Sequence, residues 1–115
     1  MQQVCREEAD MYGRVSIIEA PADKLDEGTK RMRDEIVPAL RQLSGCQGVI
    51  TLVDRTSGKS LAITLWDTED DLRASEEQAN QLRQQAADSV GATAEPQVER
   101  YEVALYEVEA GVTVS

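Results

Sequence analysis

Two β-branched, apolar runs, residues 49–53 and 61–66, stand either side of Asp54-Arg-Thr-Ser-Gly-Lys59, and that arrangement predicts a β-hairpin at the centre of the chain. Gly58 supplies the positive φ that a tight loop requires. In the second run Leu61, Ile63 and Leu65 alternate with Ala62, Thr64 and Trp66, so the two sets leave opposite faces of the sheet. The first set predicts a greasy floor for helices. The second, small and polar apart from the single Trp, predicts the lining of a cavity.

The flanking sequence supplies the remaining elements. Residues 12–19 read as a strand, with Val15 and Ile17 on one face and Tyr12, Arg14 and Ser16 on the other. Pro21-Ala-Asp-Lys24 opens a helix whose apolar stripe is Leu25, Met32, Ile36, Ala39, Leu40 and Leu43. Pro38 is expected to kink this helix or split off its last turn, and Ser44-Gly45 to end it. After the hairpin, Thr68 caps a second helix running to about Val90, with Leu72, Ser75, Ala79, Leu82, Ala86 and Val90 as its buried stripe. A long last strand is expected over 97–109. Residues 1–10 are polar and aperiodic and read as a flexible leader, 11–109 as the folded domain and 110–115 as a tail.

A chain of 115 residues has room for one core. Its net charge of −10, from 22 acidic and 12 basic side chains, repels phosphate backbones and anionic lipid, so neither nucleic acid nor a membrane is expected as a partner. No apolar run approaches the roughly 20 residues of a membrane span, and the N-terminus lacks a signal-peptide pattern, so a cytoplasmic location is expected. Cys5 and Cys46 have neither metal-ligand nor redox spacing, and Cys46 reads as a small, half-buried hydrophobe. There is no His, which removes the commonest general base and transition-metal ligand. No metal or other cofactor is implied.

The order β-α-β-β-α-β is that of a ferredoxin-like α+β sandwich, an antiparallel four-stranded sheet with two helices on one face. The uncovered face is expected to carry Trp66, Val49 or Ile50, and parts of the last strand. That is too apolar for water alone. A homodimer closing a dimeric α/β barrel around a cavity is the expected solution. Three relatives of this topology do not fit. An RNA-recognition motif needs exposed aromatics and a basic surface. A heavy-metal domain needs Cys-x-x-Cys where this chain has Glu19-Ala-Pro-Ala-Asp-Lys24, and an amino-acid-sensing domain needs a Gly-containing loop there.

The chain resembles the antibiotic biosynthesis monooxygenase-like family of dimeric α+β barrels. The resemblance covers about 12–106 and rests on Tyr12-Gly-Arg-Val-Ser16, on Ile36-Val-Pro-Ala-Leu-Arg41 followed by Ser44-Gly45, and above all on Ala62-Ile-Thr-Leu-Trp-Asp-Thr-Glu-Asp-Asp-Leu72. It implies the fold and, for function, a cofactor-independent monooxygenase acting on a small aromatic or polyketide-like substrate. The alternative is a non-catalytic homodimer that binds a small molecule or serves another enzyme. In the haem-degrading members an Asn, a Trp and a His stand where this chain has Gly13, Trp66 and Glu76, so the resemblance does not extend to haem degradation. In the cofactor-free oxygenases the pattern is Asn, Trp, Tyr and a late Arg. Here Ala62, Trp66 and Leu72 take the first three places, with Arg83 available for the fourth.

The candidate pocket residues are therefore Trp66, Thr64, Arg14, Ser16 and Arg83. Trp66 would stack on a ring, or else pack a dimer interface. Arg14 and Ser16 would orient an anionic or phenolic group, or Arg14 would pair with Glu102 or Asp54. Arg83 would join the site, or pair in solvent with Glu76 or Glu77. Tyr101 and Tyr106 read equally as barrel lining or core.

Overall fold

A computed structural model describes residues 11–108. The expected leader and tail, and the end of the expected domain at 109, lie outside the described residues. Four strands form one antiparallel sheet: β1 (Tyr12–Glu19), β2 (Cys46–Asp54), β3 (Lys59–Trp66) and β4 (Gln97–Glu102), in the spatial order β2-β3-β1-β4. That is the ferredoxin-like arrangement. Helices α1 (Leu25–Arg31), α2 (Val37–Arg41), α3 (Glu69–Ala74) and α4 (Glu76–Ser89) make the second layer. Among the described residues no helix is long and apolar enough to cross a membrane.

The hairpin closes as its residues dictate. The Asp54 carboxylate accepts from the backbone N–H of Thr56 at 2.9 Å and of Ser57 at 3.4 Å, and Gly58 turns the chain at φ +85°. A Cβ at Gly58 would lie 1.9 Å from the Ala20 carbonyl, so the loop is tied to the end of β1 at a point that admits no side chain.

The first helical segment is interrupted ahead of Pro38. Met32–Ile36 is a π turn, in which the Val37 N–H reaches back to the Met32 carbonyl. The wide turn absorbs the position where proline can neither donate nor tolerate a tight preceding turn. The second helix is also broken, which the sequence pattern did not announce. It splits at Ser75 into α3 and α4, and the Ser75 hydroxyl donates to the Leu72 carbonyl at 2.7 Å. Its cap is as expected, with Thr68 Oγ1 accepting from the Asp71 N–H at 3.0 Å.

Two expectations are corrected. The last strand does not run over 97–109: β4 stops at Glu102, opposite Tyr12, because β1 begins there and offers no further ladder. One more bond, Val103 N–H to the Met11 carbonyl at 2.9 Å, ends the pairing. The second correction concerns the faces of the sheet. Trp66 is fully buried against Ile36, Leu40 and Leu72, so the Ala62, Thr64 and Trp66 face is the one the helices cover. The alternating aliphatic set is on the open side, where Leu61 faces Leu52 and Ile17, and Ile63 faces Ile50 and Val15 across the register. Ile50 and Leu52 remain 45% and 49% exposed. Strand alternation separates two sets of residues but does not say which set the helices choose. Here the small residues let α4 approach, and Trp66 fills the remaining depth.

Candidate functional site

The site grows from the middle of β1. Register places Arg14 between Thr64 of β3 and Arg100 of β4, and one row further on it places Ser16 between Ala62 and Val98. Period-2 alternation turns all of these toward the helices. An arginine in the centre of a covered face must find partners there, since an isolated buried charge is costly. Arg14 is 1% exposed.

Its partners come from the break between α3 and α4. Arg14 Nη2 donates to the Leu72 carbonyl and to Ser75 Oγ, both at 2.8 Å, and lies 3.0 Å from Glu76 Oε2. Ser75 interrupts the helix and thereby frees acceptors that a continuous helix would have used internally. Glu102 and Asp54, the expected partners of Arg14, are not its partners. Glu76 is also gripped by Arg100, whose Nε and Nη2 each donate at 2.7 Å in a two-pronged pair. The Arg100 hydrogen bonds, against the opposing effect of burial and with help from Arg14, hold the Glu76 carboxyl well down, at about 2. It is a fixed anion.

Arg83 reaches the same space from α4. Its Nε donates to Ser16 Oγ at 3.0 Å and its Nη1 to the Asn80 side-chain carbonyl. It pairs with neither Glu76 nor Glu77. Burial, and then the nearby charge of Arg14, push its pKa below the ordinary guanidinium value. Arg14 Nε and Nη1 and Arg83 Nη2 are buried and have no hydrogen-bond partner among the described residues.

These groups border a cavity of about 70 Å³ between sheet and helices. Its lining is almost wholly apolar, from Met32, Ile36, Leu40, Ala79, Leu82 and Ala86, and Arg14, Ser16, Thr64 and Arg83 complete the wall with their polar atoms largely covered. A second lobe, also about 70 Å³, shares Ser16, Ile18, Met32, Ile36, Ala62 and Ala86 with the first and continues toward Leu25 and Val90. Four of the five residues singled out from sequence thus meet at one cavity. Trp66 does not line it. It lies beneath, donating from Nε1 to Thr64 Oγ1 at 2.9 Å, with the Arg14 guanidinium 5.6 Å from its ring centroid. The sequence reading missed Ser75, Glu76 and Arg100 as a unit. The signal available was that Arg14 and Arg100 alternate onto the same face as Trp66. Among the described residues no group of three or more His, Cys, Asp or Glu could hold a metal ion, and Cys46 is free.

No family model matches the chain. Its backbone does superpose on solved structures. A monooxygenase of Streptomyces coelicolor, solved with the ligand nanaomycin D, aligns at a TM-score of 0.62 over 94% of this chain and 95% of that one, at 12% identity. A putative antibiotic biosynthesis monooxygenase of Caulobacter crescentus aligns at 0.63 over 88% and 92%, at 18% identity. The chain has the antibiotic biosynthesis monooxygenase-like fold. SnoaB, a cofactor-independent oxygenase of Streptomyces nogalater, shares that fold at a TM-score of 0.59 and 15% identity, over 90% of this chain and all of the other. In sequence the chain is 39% identical over 94 residues to the uncharacterized protein Rv2557 of Mycobacterium tuberculosis, covering 82% of this chain and 41% of that protein. A second uncharacterized protein of that organism, Rv2558, is 39% identical over 95 residues, 83% of this chain and 39% of its own length. The chain therefore spans about two-fifths of the curated relatives it matches.

Proposed function

We propose that this protein, with its monooxygenase-like fold, is a cofactor-independent monooxygenase that oxidises a small aromatic or polyketide-like substrate in the cavity between sheet and helices. The observation that carries the reading is the cavity itself, almost wholly apolar, with two arginines in its wall whose buried N–H groups include some without a partner among the described residues. A phenol or enol entering it would be favoured as its anion, because those donors stabilise negative charge beside largely apolar walls. An electron-rich anion can reduce O₂ directly. At an activated CH₂, one oxygen atom of O₂ becomes the new carbonyl and the other leaves as water with the two hydrogens, so no external reductant is needed. The protein's part is positioning and electrostatics.

The open sheet face, with Ile50 and Leu52 exposed, supports a homodimer in which two such faces meet. A cytoplasmic location rests on composition alone. Oxygen uptake by the purified chain across a panel of one- to three-ring phenols and enolisable ketones tests the activity. Quinone or ketone formation coupled to O₂ loss is the expected result. Silence across the panel discards the oxygenase reading in favour of a non-catalytic homodimeric binding or accessory protein.

A further inference from the structure

We infer that the cavity takes a small organic anion: an apolar body of about one ring, ending in a charge shared over two oxygens, as in a carboxylate or an enolised 1,3-dicarbonyl. This rests on the proposed function's choice of site, and it narrows the substrate.

The donors argue for the head group. Arg14 offers Nε and Nη1, and Arg83 offers Nη2, all buried and unpaired among the described residues. These three nitrogens carry five N–H bonds, more than the two or three that one small phenolic oxygen accepts. A planar two-oxygen anion presents about four lone-pair directions and matches guanidinium geometry. The local charge argues for the sign. In a chain of net charge −10, Arg14 and Arg83 both line this cavity, and a third arginine, Arg100, stands outside it on the shared Glu76. The carboxylate of Glu76 bonds two of them, Arg14 and Arg100, while Arg83 bonds only the neutral Ser16 and Asn80. A bound monoanion would offset the excess.

The volume argues for the body. An apolar cavity of about 150 Å³ admits benzene. Two adjoining lobes of about 70 Å³ each therefore match one ring or a short branched chain, and a three-ring polyketide exceeds them. The apolar walls from Met32 to Val90 would take the body while the head faces Arg14 and Arg83.

The test is a titration of the full chain with benzoate, with 1,3-cyclohexanedione as its enolate, and with benzamide as the neutral isostere of benzoate. Calorimetry gives affinity. The fluorescence of Trp66, the single Trp, reports on the Arg14 beside it. At least one anion is expected to bind about tenfold or more tightly than benzamide, and which of the two binds tighter separates carboxylate from dicarbonyl. Arg83→Gln is expected to weaken that anion by about tenfold while circular dichroism shows an intact fold. Benzamide binding as tightly as benzoate, an Arg83→Gln variant of undiminished affinity, or no binding of either anion at millimolar concentration each overturns the inference. Anion binding without oxygen uptake upholds it and removes the oxygenase reading alone.

Discussion

The guanidinium of Arg14 rests 5.6 Å from the centroid of the Trp66 ring, so the most deeply buried charge lies against the most deeply buried aromatic. The contact satisfies part of the cation's need for a partner where water is excluded. It also makes Trp66 structural.

Trp66→Ala should therefore destabilise the fold by about 3–5 kcal/mol, the usual cost of removing a large ring from a packed core. Trp66→Phe should cost less, losing chiefly the bond to Thr64 Oγ1. Urea unfolding of both variants measures this. A loss below about 1 kcal/mol for the alanine variant would contradict the packing around Ile36, Leu40 and Leu72.

Stability should fall in acid with a recognisable midpoint. The Glu76 carboxyl is depressed from 4.5 to about 2 in the folded chain, so its contribution of about 2–3 kcal/mol is complete above pH 4.5 and is lost as pH falls toward 2. Arg100→Ala removes the largest cause of that depression and should move the loss to higher pH. Thermal melts of both proteins between pH 2 and 6 decide it. Superimposable profiles would mean that Arg100 does not hold Glu76.

Gly58→Ala should be among the most damaging changes in the loops, because Gly58 is buried although its neighbours in the hairpin turn are exposed. It places a methyl 1.9 Å from the Ala20 carbonyl and forces an L side chain to φ +85°, so a cost of about 2–4 kcal/mol is expected. Gly91→Ala is the control, with φ +68° and nothing within 4 Å of the added Cβ, and should cost only about 1 kcal/mol. Equal melting temperatures for the two variants would refute the contact.

Ile50→Glu combined with Leu52→Glu tests the proposed dimer. Both side chains are about half exposed on the single chain, so the folded monomer should tolerate the change to within about 1 kcal/mol. A charge buried between two sheets would not be tolerated. Sedimentation velocity is expected to show two chains together for the wild type and one for the variant. A wild type that sediments as one chain at micromolar concentration removes the dimer.

The topology was legible because its signals are local. Val15 and Ile17, the 54–59 loop, Thr68 and Gly91 each announce an element or its end within a few residues. What could not be read locally was which side of the sheet the helices occupy. Leu61, Ile63 and Leu65 look like a core, but the helices need room, and Ala62, Thr64 and Ala79 provide it. The site was legible to the same depth. Arg14, Ser16, Thr64 and Arg83 could be named from alternation and resemblance, whereas Ser75 and Glu76 join Arg14 across more than 60 residues of chain through a helix break that hydrophobic periodicity does not encode. The end of β4 at Glu102 was hidden for a similar reason, because strand length depends on where the neighbouring strand starts.

Because Glu76 is shared between a sealed arginine and one standing half in solvent, the outside of the molecule has a handle on its interior. Exchanging Arg100 alters how firmly the inner guanidinium is anchored without changing any atom of the cavity wall. If the cavity binds as proposed, exchanging Arg100 would tune its ligand preference from the exterior.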